Sequence, residues 1–246
     1  MIEPLGPNNA QMQRLRRLLG RRSSRLEEGC FVIEGPTLVA EAVSAGWPIE
    51  AIYSETSFPD AVPVRSGVLA KVMDVETARP VVAVASRVSL SLVPPGASFV
   101  VVAHGISDPG NLGTVLRTAE AAGADAVVCT PGTVDAFSPK VVRSSAGAIV
   151  HVPIVECVLA DVVGFRRLGT SSHRGTPYLS ADLSCPLALV FGNEAHGLPD
   201  DAPVDGWLSI PHAGRAESLN VAMAAAILCF AVSTLRAPGH GRRDNR

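Results

Sequence analysis

Aromatic side chains are scarce in this sequence, with two Trp, two Tyr and seven Phe in 246 residues. A core must therefore be built from aliphatic side chains, and Ala and Val are abundant. That composition suits a well-buried α/β protein and excludes a disordered or fibrous chain. Charge of one sign is lacking too. The formal net charge is −2, so bulk charge does not point to nucleic acid. No Cys-x-x-Cys pair occurs. Cys30, Cys129, Cys157, Cys185 and Cys229 are scattered through mostly apolar contexts and are odd in number, which predicts free thiols in a reducing cytosol and disfavours a disulfide frame or a zinc site. The histidines are dispersed without metal-ligand spacing, so no metal is expected. The first twenty residues have no apolar core of the secretion-signal type. Leu219 to Leu235 carries no charge, but it is Ala-rich, includes Asn220, Ser233 and Thr234, and is marginal in length for a bilayer. It reads as a helix buried all round, in a core or a subunit interface. The expected setting is the cytoplasm, with no membrane partner.

What the chain does contain is an ordered series of strands and helices. Residues 10–28 read as one Arg-rich helix with Leu15, Leu18 and Leu19 on its apolar side, and Arg14, Arg16, Arg17, Arg21, Arg22 and Arg25 crowd it with no acid among them. CFVIEG (30–35) reads as a strand ending in a Gly-Pro turn, 37–45 as a helix, and 49–53 and 81–85 as strands. A βα repeat of this kind predicts a parallel or mixed sheet. LVPPGAS (92–98) punctuates the chain, and a domain boundary is expected near residue 95. Beyond it, FVVVA (99–103) and LALVF (187–191) are unbroken apolar runs, the signature of strands buried on both faces. Between and after them the pattern predicts a helix over 112–122, a strand at 126–129, a short helix in PKVVRSSAGA (139–148), a strand over 149–155, a helix over 157–168, a strand in WLSIP (207–211) and a last helix from about 217. GHGRRDNR at the C-terminus reads as a disordered tail.

Familiar cofactor signatures are absent. The glycines of GISDPGNLG (105–113) do not follow G-x-G-x-x-G, no G-K-[ST] marks a phosphate loop, and no G-x-S-x-G marks a hydrolase elbow. Three other stretches stand out. DPGNLGTVLR (108–117) places Asn111 and Arg117 near a helix start. FGNEAHGLP (191–199) follows one buried strand, and IPHAGRAESLN (210–220) follows another. Loops at strand ends are where open α/β sheets bind ligands, and glycines there allow close backbone approach. Taken singly each is equally well an ordinary connection, with Ser218 capping the last helix.

In this order, N-x₅-R, GNEAHGLP and ESLN resemble the three signature motifs of the SpoU/TrmH family, RNA 2′-O-ribose methyltransferases of the SPOUT superfamily. FSPKVVRSSAGA (137–148) resembles the family's middle segment. CFVIEGPTLVAEAV (30–43) resembles the small ribosomal-protein-like domain that precedes the catalytic domain in many members. Ala195 stands where glycine is common in the second motif, and His212 where methionine is common in the third.

The resemblance implies a substrate-binding domain over 1–95 and a methyltransferase domain over 96–236, followed by the tail 237–246. The second domain would be a parallel sheet whose C-terminal segment threads a loop, making a deep trefoil knot. It implies S-adenosylmethionine held by backbone at Gly192, Ile210 and Leu219, with Asn193, Glu194, Ser218 and Asn220 around the site. Arg117 would bind the phosphate beside the target ribose and stabilise alkoxide charge, since a guanidinium does not deprotonate in proteins. A phosphate oxygen, Glu194 or water would take the proton. Asn111 would position Arg117 or the ribose, and Arg143 would make a second phosphate contact. Arg14, Arg17 and Arg21 are candidate RNA contacts on the N-terminal helix. The expected activity is 2′-O-methylation of ribosomal RNA by a homodimer. The alternatives are a transfer RNA target or an RNA-binding protein with a vestigial site.

Overall fold

The computed structural model describes residues 3–73, 79–215 and 217–236. The segment 237–246, expected to be a tail, lies outside the described residues. The chain divides into two compact units, Met1–Val88 with Asp135–His151, and Ser89–Val134 with Val152–Arg246.

The first unit runs α1 (Ala10–Gly20), α2 (Arg22–Glu28), β1 (Cys30–Glu34), α3 (Pro36–Ser44), β2 (Ile49–Ser54), β3 (Val62–Pro63), α4 (Val68–Met73) and β4 (Val81–Ser86). Its sheet has the order β1-β4-β2-β3. β4 pairs antiparallel with both neighbours and β3 runs parallel to β2, so the sheet is mixed. Met12, Leu15 and Leu18 of α1 join Leu69 and Val72 of α4 in a core over Val32, Val82 and Val84. The single helix expected over 10–28 is two. Arg21 is extended, at φ −125° and ψ 123°, directly after Gly20, a poor helix residue.

The Arg-rich run is also not unopposed. Arg14 pairs with Glu28 at 2.5 Å and with Glu50 at 2.6 Å, and Arg17 lies 3.6 Å from Glu28. Arg25 is buried. Its Nε donates to Asp135 Oδ2 at 2.7 Å and its Nη1 to the Leu18 carbonyl at 2.7 Å, with both charged side chains about as enclosed as core leucines (5% and 4% exposed). Asp135 belongs to a segment that the sequence pattern places in the second domain. The reason for its return is physical: Phe137 sets its ring 5.0 Å from that of Phe31, and Asp135 neutralises Arg25.

The second unit continues with β5 (Phe99–Ala103), α5 (Pro109–Ala121) and β6 (Ala126–Cys129). The chain then passes through α6 (Pro139–Ser144), which sits in the first unit. It resumes with β7 (Ile154–Glu156), β8 (Arg166–Thr170), β9 (Thr176–Pro177), β10 (Leu187–Phe191), β11 (Gly206–Ser209) and α7 (Val221–Arg236). All pairings in its sheet are parallel, in the order β7-β6-β5-β10-β8-β11-β9. β5, β6 and β10 are buried along their whole length, as their unbroken apolar runs require. Two expectations fail here. The helix over 157–168 is a single 3₁₀ turn, Leu159–Asp161, and then β8. Gly164, at φ +83°, interrupts the helical path, and pairing of β8 with the buried β10 outweighs local propensity. The strand over 149–155 is a 3₁₀ turn, Ala148–Val150, and the shorter β7.

α7 packs on α5 and β10. Ala222, Ala225, Leu228, Cys229 and Val232 are buried, yet Met223, Ile227 and Phe230 are 59%, 36% and 50% exposed. The helix is therefore apolar on two faces, only one of which the described residues cover, and it is not buried all round among them. Among the described residues no helix is long and apolar enough to cross a membrane.

Candidate ligand cleft at the strand ends

β5 leads through α5 to β6 and β7 on one side of the sheet, while β10, β8 and β11 lie on the other. Such a switch in direction opens a crevice at the carboxyl ends of the strands. The loops after β8, β10 and β11 meet there with the start of α5. They enclose a cleft of about 670 Å³, within the ~300–1,000 Å³ usual for small-molecule sites. Leu198, Leu208 and Leu228 give it an apolar floor, and Asn111, Glu194, Ser218 and Asn220 a polar rim.

The loop after β10 is held by its own backbone. Asn193 and Gly197 exchange N–H···O bonds of 3.1 and 2.8 Å, and the Asn193 Oδ1 accepts from Ala195 and His196 N–H at 2.9 and 3.2 Å. Asn193 Nδ2 donates to the Gly105 carbonyl at 2.9 Å, tying this loop to the one after β5. Glycine is required at 192 for a reason other than ligand approach: an added Cβ would stand 2.3 Å from the Gly197 carbonyl carbon and 2.5 Å from Leu198 N. Ala195 costs nothing in this geometry, since among described non-glycine residues only Asp60 and Ala146 have positive φ.

Glu194 reaches from this loop to the start of α5. Its carboxylate accepts from the N–H and hydroxyl of Ser107 at 3.0 and 2.9 Å, the N–H of Asp108 at 3.0 Å and Nδ2 of Asn111 at 3.0 Å. Partial burial alone would raise its pKa. The Asn111 amide and the N–H groups of Ser107, Asp108 and Glu194 itself outweigh that and hold it down to about 2. The stabilisation this gives the loops is complete above its ordinary value of 4.5 and drains away as pH falls toward 2. Asn111 Oδ1 in turn accepts from Asn220 Nδ2 at 3.0 Å. Asn220 Oδ1 accepts from Ala222 N–H at 2.9 Å, so Asn220, not Ser218, caps the last helix.

Of the residues singled out in the sequence, Asn111, Gly192, Asn193, Glu194, Ile210, Ser218, Leu219 and Asn220 all line this cleft. Arg117 does not. It is exposed on α5, six residues on from Asn111, which is ~9 Å along the axis and about 240° round it. Among the described residues no side chain pairs with it. Arg143, in the first unit, pairs with Glu34 at 2.7 Å. The loop after β8 has no signal in the sequence, because the pattern over 157–168 predicts a helix where the structure has a 3₁₀ turn and the start of β8. That loop brings Arg174 to the cleft, with its guanidinium 3.7 Å over the Trp207 ring and 2.8 Å from Asp200. Among the described residues no cluster of His, Cys, Asp and Glu has the makings of a metal site.

A parallel sheet with a polar-rimmed cleft at its switch point defines a ligand-binding α/β protein. Residues 98–230 match the SpoU rRNA Methylase family and residues 9–89 the MRM3-like substrate binding domain. The chain belongs to the SpoU rRNA methylase family, as its three motifs lead one to expect. It is 36% identical over 231 residues to the Bacillus subtilis 23S rRNA (guanosine(2553)-2′-O)-methyltransferase RlmP, covering 86% of this chain and 92% of that one. It is 29% identical to the 23S rRNA (uridine(2479)-2′-O)-methyltransferase of Streptomyces viridochromogenes, covering 94% and 92%. Among solved structures, the AdoMet-bound rRNA methyltransferase of Sinorhizobium meliloti superposes with a TM-score of 0.85 at 27% identity, over 96% of this chain and 99% of that one. AviRb of Streptomyces viridochromogenes, in complex with AdoMet, gives 0.81 at 28% identity, over 93% and 98%.

Proposed function

We propose that this protein methylates a ribose 2′-oxygen of 23S ribosomal RNA, using S-adenosylmethionine, in the cytoplasm. The observation that carries the reading is the gathering of Asn111, Asn193, Glu194, Ser218 and Asn220 around one cleft, in a chain whose near-full-length relatives are named for that reaction on 23S rRNA. The cleft suits the cofactor. Leu198, Leu208 and Leu228 offer an apolar floor for a purine, while Glu194 and Glu217 give the rim negative charge to face a cation. Gly192, Ile210 and Leu219 would hold it through backbone groups, with Asn193 and Ser218 beside them. When bound, it supplies an electrophilic methyl group on a sulfonium. Arg117, exposed on α5, grips the phosphate next to the target ribose and stabilises negative charge on the 2′-oxygen. The finer fold assignment, a trefoil knot made by threading the C-terminal segment, belongs to this reading and is supported by family membership. The test is to map ribose methylation in total RNA from cells with and without the protein. Loss of one 2′-O-methyl mark in 23S rRNA is expected. A mark lost from transfer RNA instead, or none lost, overturns the choice of substrate.

On the first unit, Arg14 is the weakest of the arginine candidates for RNA contact. Hydrogen bonds from it to Glu50 and Glu28 raise its pKa further and occupy its fork. Arg17 and Arg21, with Arg16 and Arg22, are exposed and carry the phosphate contacts in this reading. Arg143 exchanges Glu34 for phosphate.

Gly192 sits beneath the rim, and Gly192→Ala should push the 193–198 loop off its present path, because the clash is with backbone that cannot rotate away. Overpacking of this kind costs about 1–3 kcal/mol, so S-adenosylmethionine affinity measured by calorimetry should fall about 10–100-fold. Unchanged affinity would remove the loop from the cofactor site.

The protein also forms a homodimer in this reading. Met223, Ile227 and Phe230 share one face of α7 by their spacing, and that face is apolar and uncovered among the described residues. Because α7 packs on α5, a seam along it runs beside the helix that bears Arg117. Phe230→Glu should leave the fold intact and shift sedimentation at micromolar protein from dimer to monomer, whereas an unshifted dimer moves the interface elsewhere. Leu228, fully buried in the chain, would test the fold instead.

A further inference from the structure

Three side chains of the rim are joined in series. Glu194 accepts from Asn111 Nδ2, Asn111 Oδ1 accepts from Asn220 Nδ2, and Asn220 Oδ1 accepts from the N–H groups of Ala222 and Met223 at 2.9 and 3.4 Å. An ionised carboxylate has acceptors and no donor, so it admits only one orientation of the Asn111 amide. That orientation admits only one of Asn220, which leaves the Asn220 oxygen on the first turn of α7. We propose that Glu194 is the positioning residue of this site and not its proton acceptor: its carboxylate sets, through Asn111 and Asn220, where α5, the loop after β10 and the start of α7 stand relative to one another. The inference rests on the methyltransferase reading for what the cleft does, but not for the relay itself.

The geometry around the carboxylate supports the assignment. The carboxylate is engaged by four donors from the loop after β5 and the start of α5, which is what a clamp needs and what a group free to take a proton lacks. Those donors also keep it near 2, too weak a base to serve at neutral pH. On this assignment the proton that leaves the ribose 2′-oxygen departs by a route other than Glu194.

The relay has a polarity, so it can be broken and repaired. Glu194→Gln turns an N–H₂ toward donors that need an acceptor. Asn111→Asp sets two carboxylates face to face. Either should speed hydrogen exchange at the Ala222 and Met223 N–H groups roughly 3–10-fold in the free protein, the scale of losing one net hydrogen bond, and should lower single-turnover methyl transfer. The double variant restores a donor facing an acceptor between 194 and 111, with the carboxylate on the other side, and gives up only the bond from the Asp108 N–H, which shares the same Glu194 oxygen. It should recover the exchange protection and at least about tenfold in rate over the worse single variant, although position 194 then carries no base. The parent's rate should show no acid limb down to about pH 5. A Glu194→Gln protein with parental exchange at Ala222 and Met223, and no rescue in the double variant, overturns the proposal and returns Glu194 to the role of base. Exchange needs neither RNA nor cofactor, so a protein that methylates no RNA at all would defeat the methyltransferase reading and leave the relay to be decided by exchange alone.

Discussion

Replacing Arg117 with alanine should leave the fold and S-adenosylmethionine affinity near those of the parent and lower methyl transfer by about 10²–10³, the usual loss for one preorganised electrostatic contact. The separation follows from position. Arg117 is exposed and does not line the cleft, so its removal opens no cavity and takes nothing from the cofactor. Arg117→Lys should recover part of the rate only, since an ammonium keeps the charge but loses the planar fork that matches phosphate. Single-turnover assays at saturating RNA give the decisive reading. If Arg117→Ala keeps its saturated rate and loses RNA affinity alone, Arg117 docks the substrate and takes no part in the chemistry.

The second large effect is on stability. Arg25→Ala should cost about 3–5 kcal/mol in urea unfolding, because it strands Asp135 as a buried charge without its partner. Asp135 is 4% exposed at the side chain, and the Leu18 carbonyl loses its donor as well. Arg25→Met combined with Asp135→Leu should be far milder than Arg25→Ala, since replacing both members of a buried pair by apolar groups is often close to neutral. A single variant that loses less than about 1 kcal/mol would mean that water reaches the pair.

Legibility in the sequence tracked how local each cause was. β5, β6 and β10 could be read because strands buried on both faces are apolar throughout. The rim loops after β5 and β10 could be read because each follows such a strand, and the loop after β11 because it runs on into the charge-free helix α7. β8 was missed because RRLGT opens on two arginines and owes its strand state to β10, some twenty residues later. Arg174 and its contact with Trp207 were lost with it. The arginine run looked unopposed because Glu50 and Asp135, which answer Arg14 and Arg25, come from elsewhere in the chain. Asn220 and Ser218 are both good cap residues two positions apart, and only the hydrogen bond to Ala222 N–H separates them.

The return of residues 135–151 to the first unit bears on how the protein is made. A ribosome that has finished β4 has not yet supplied Phe137 to cover Phe31, nor Asp135 to neutralise Arg25. At ~5–20 residues per second that supply comes several seconds later, after β5, α5 and β6 have emerged. The amino-terminal unit is thus started first but left waiting for its last piece, residues 135–151, while the opening third of the second unit is already being made. A gene fragment cut at the Pro-Gly punctuation near residue 95 would encode an unfinished core with a stranded cation inside it.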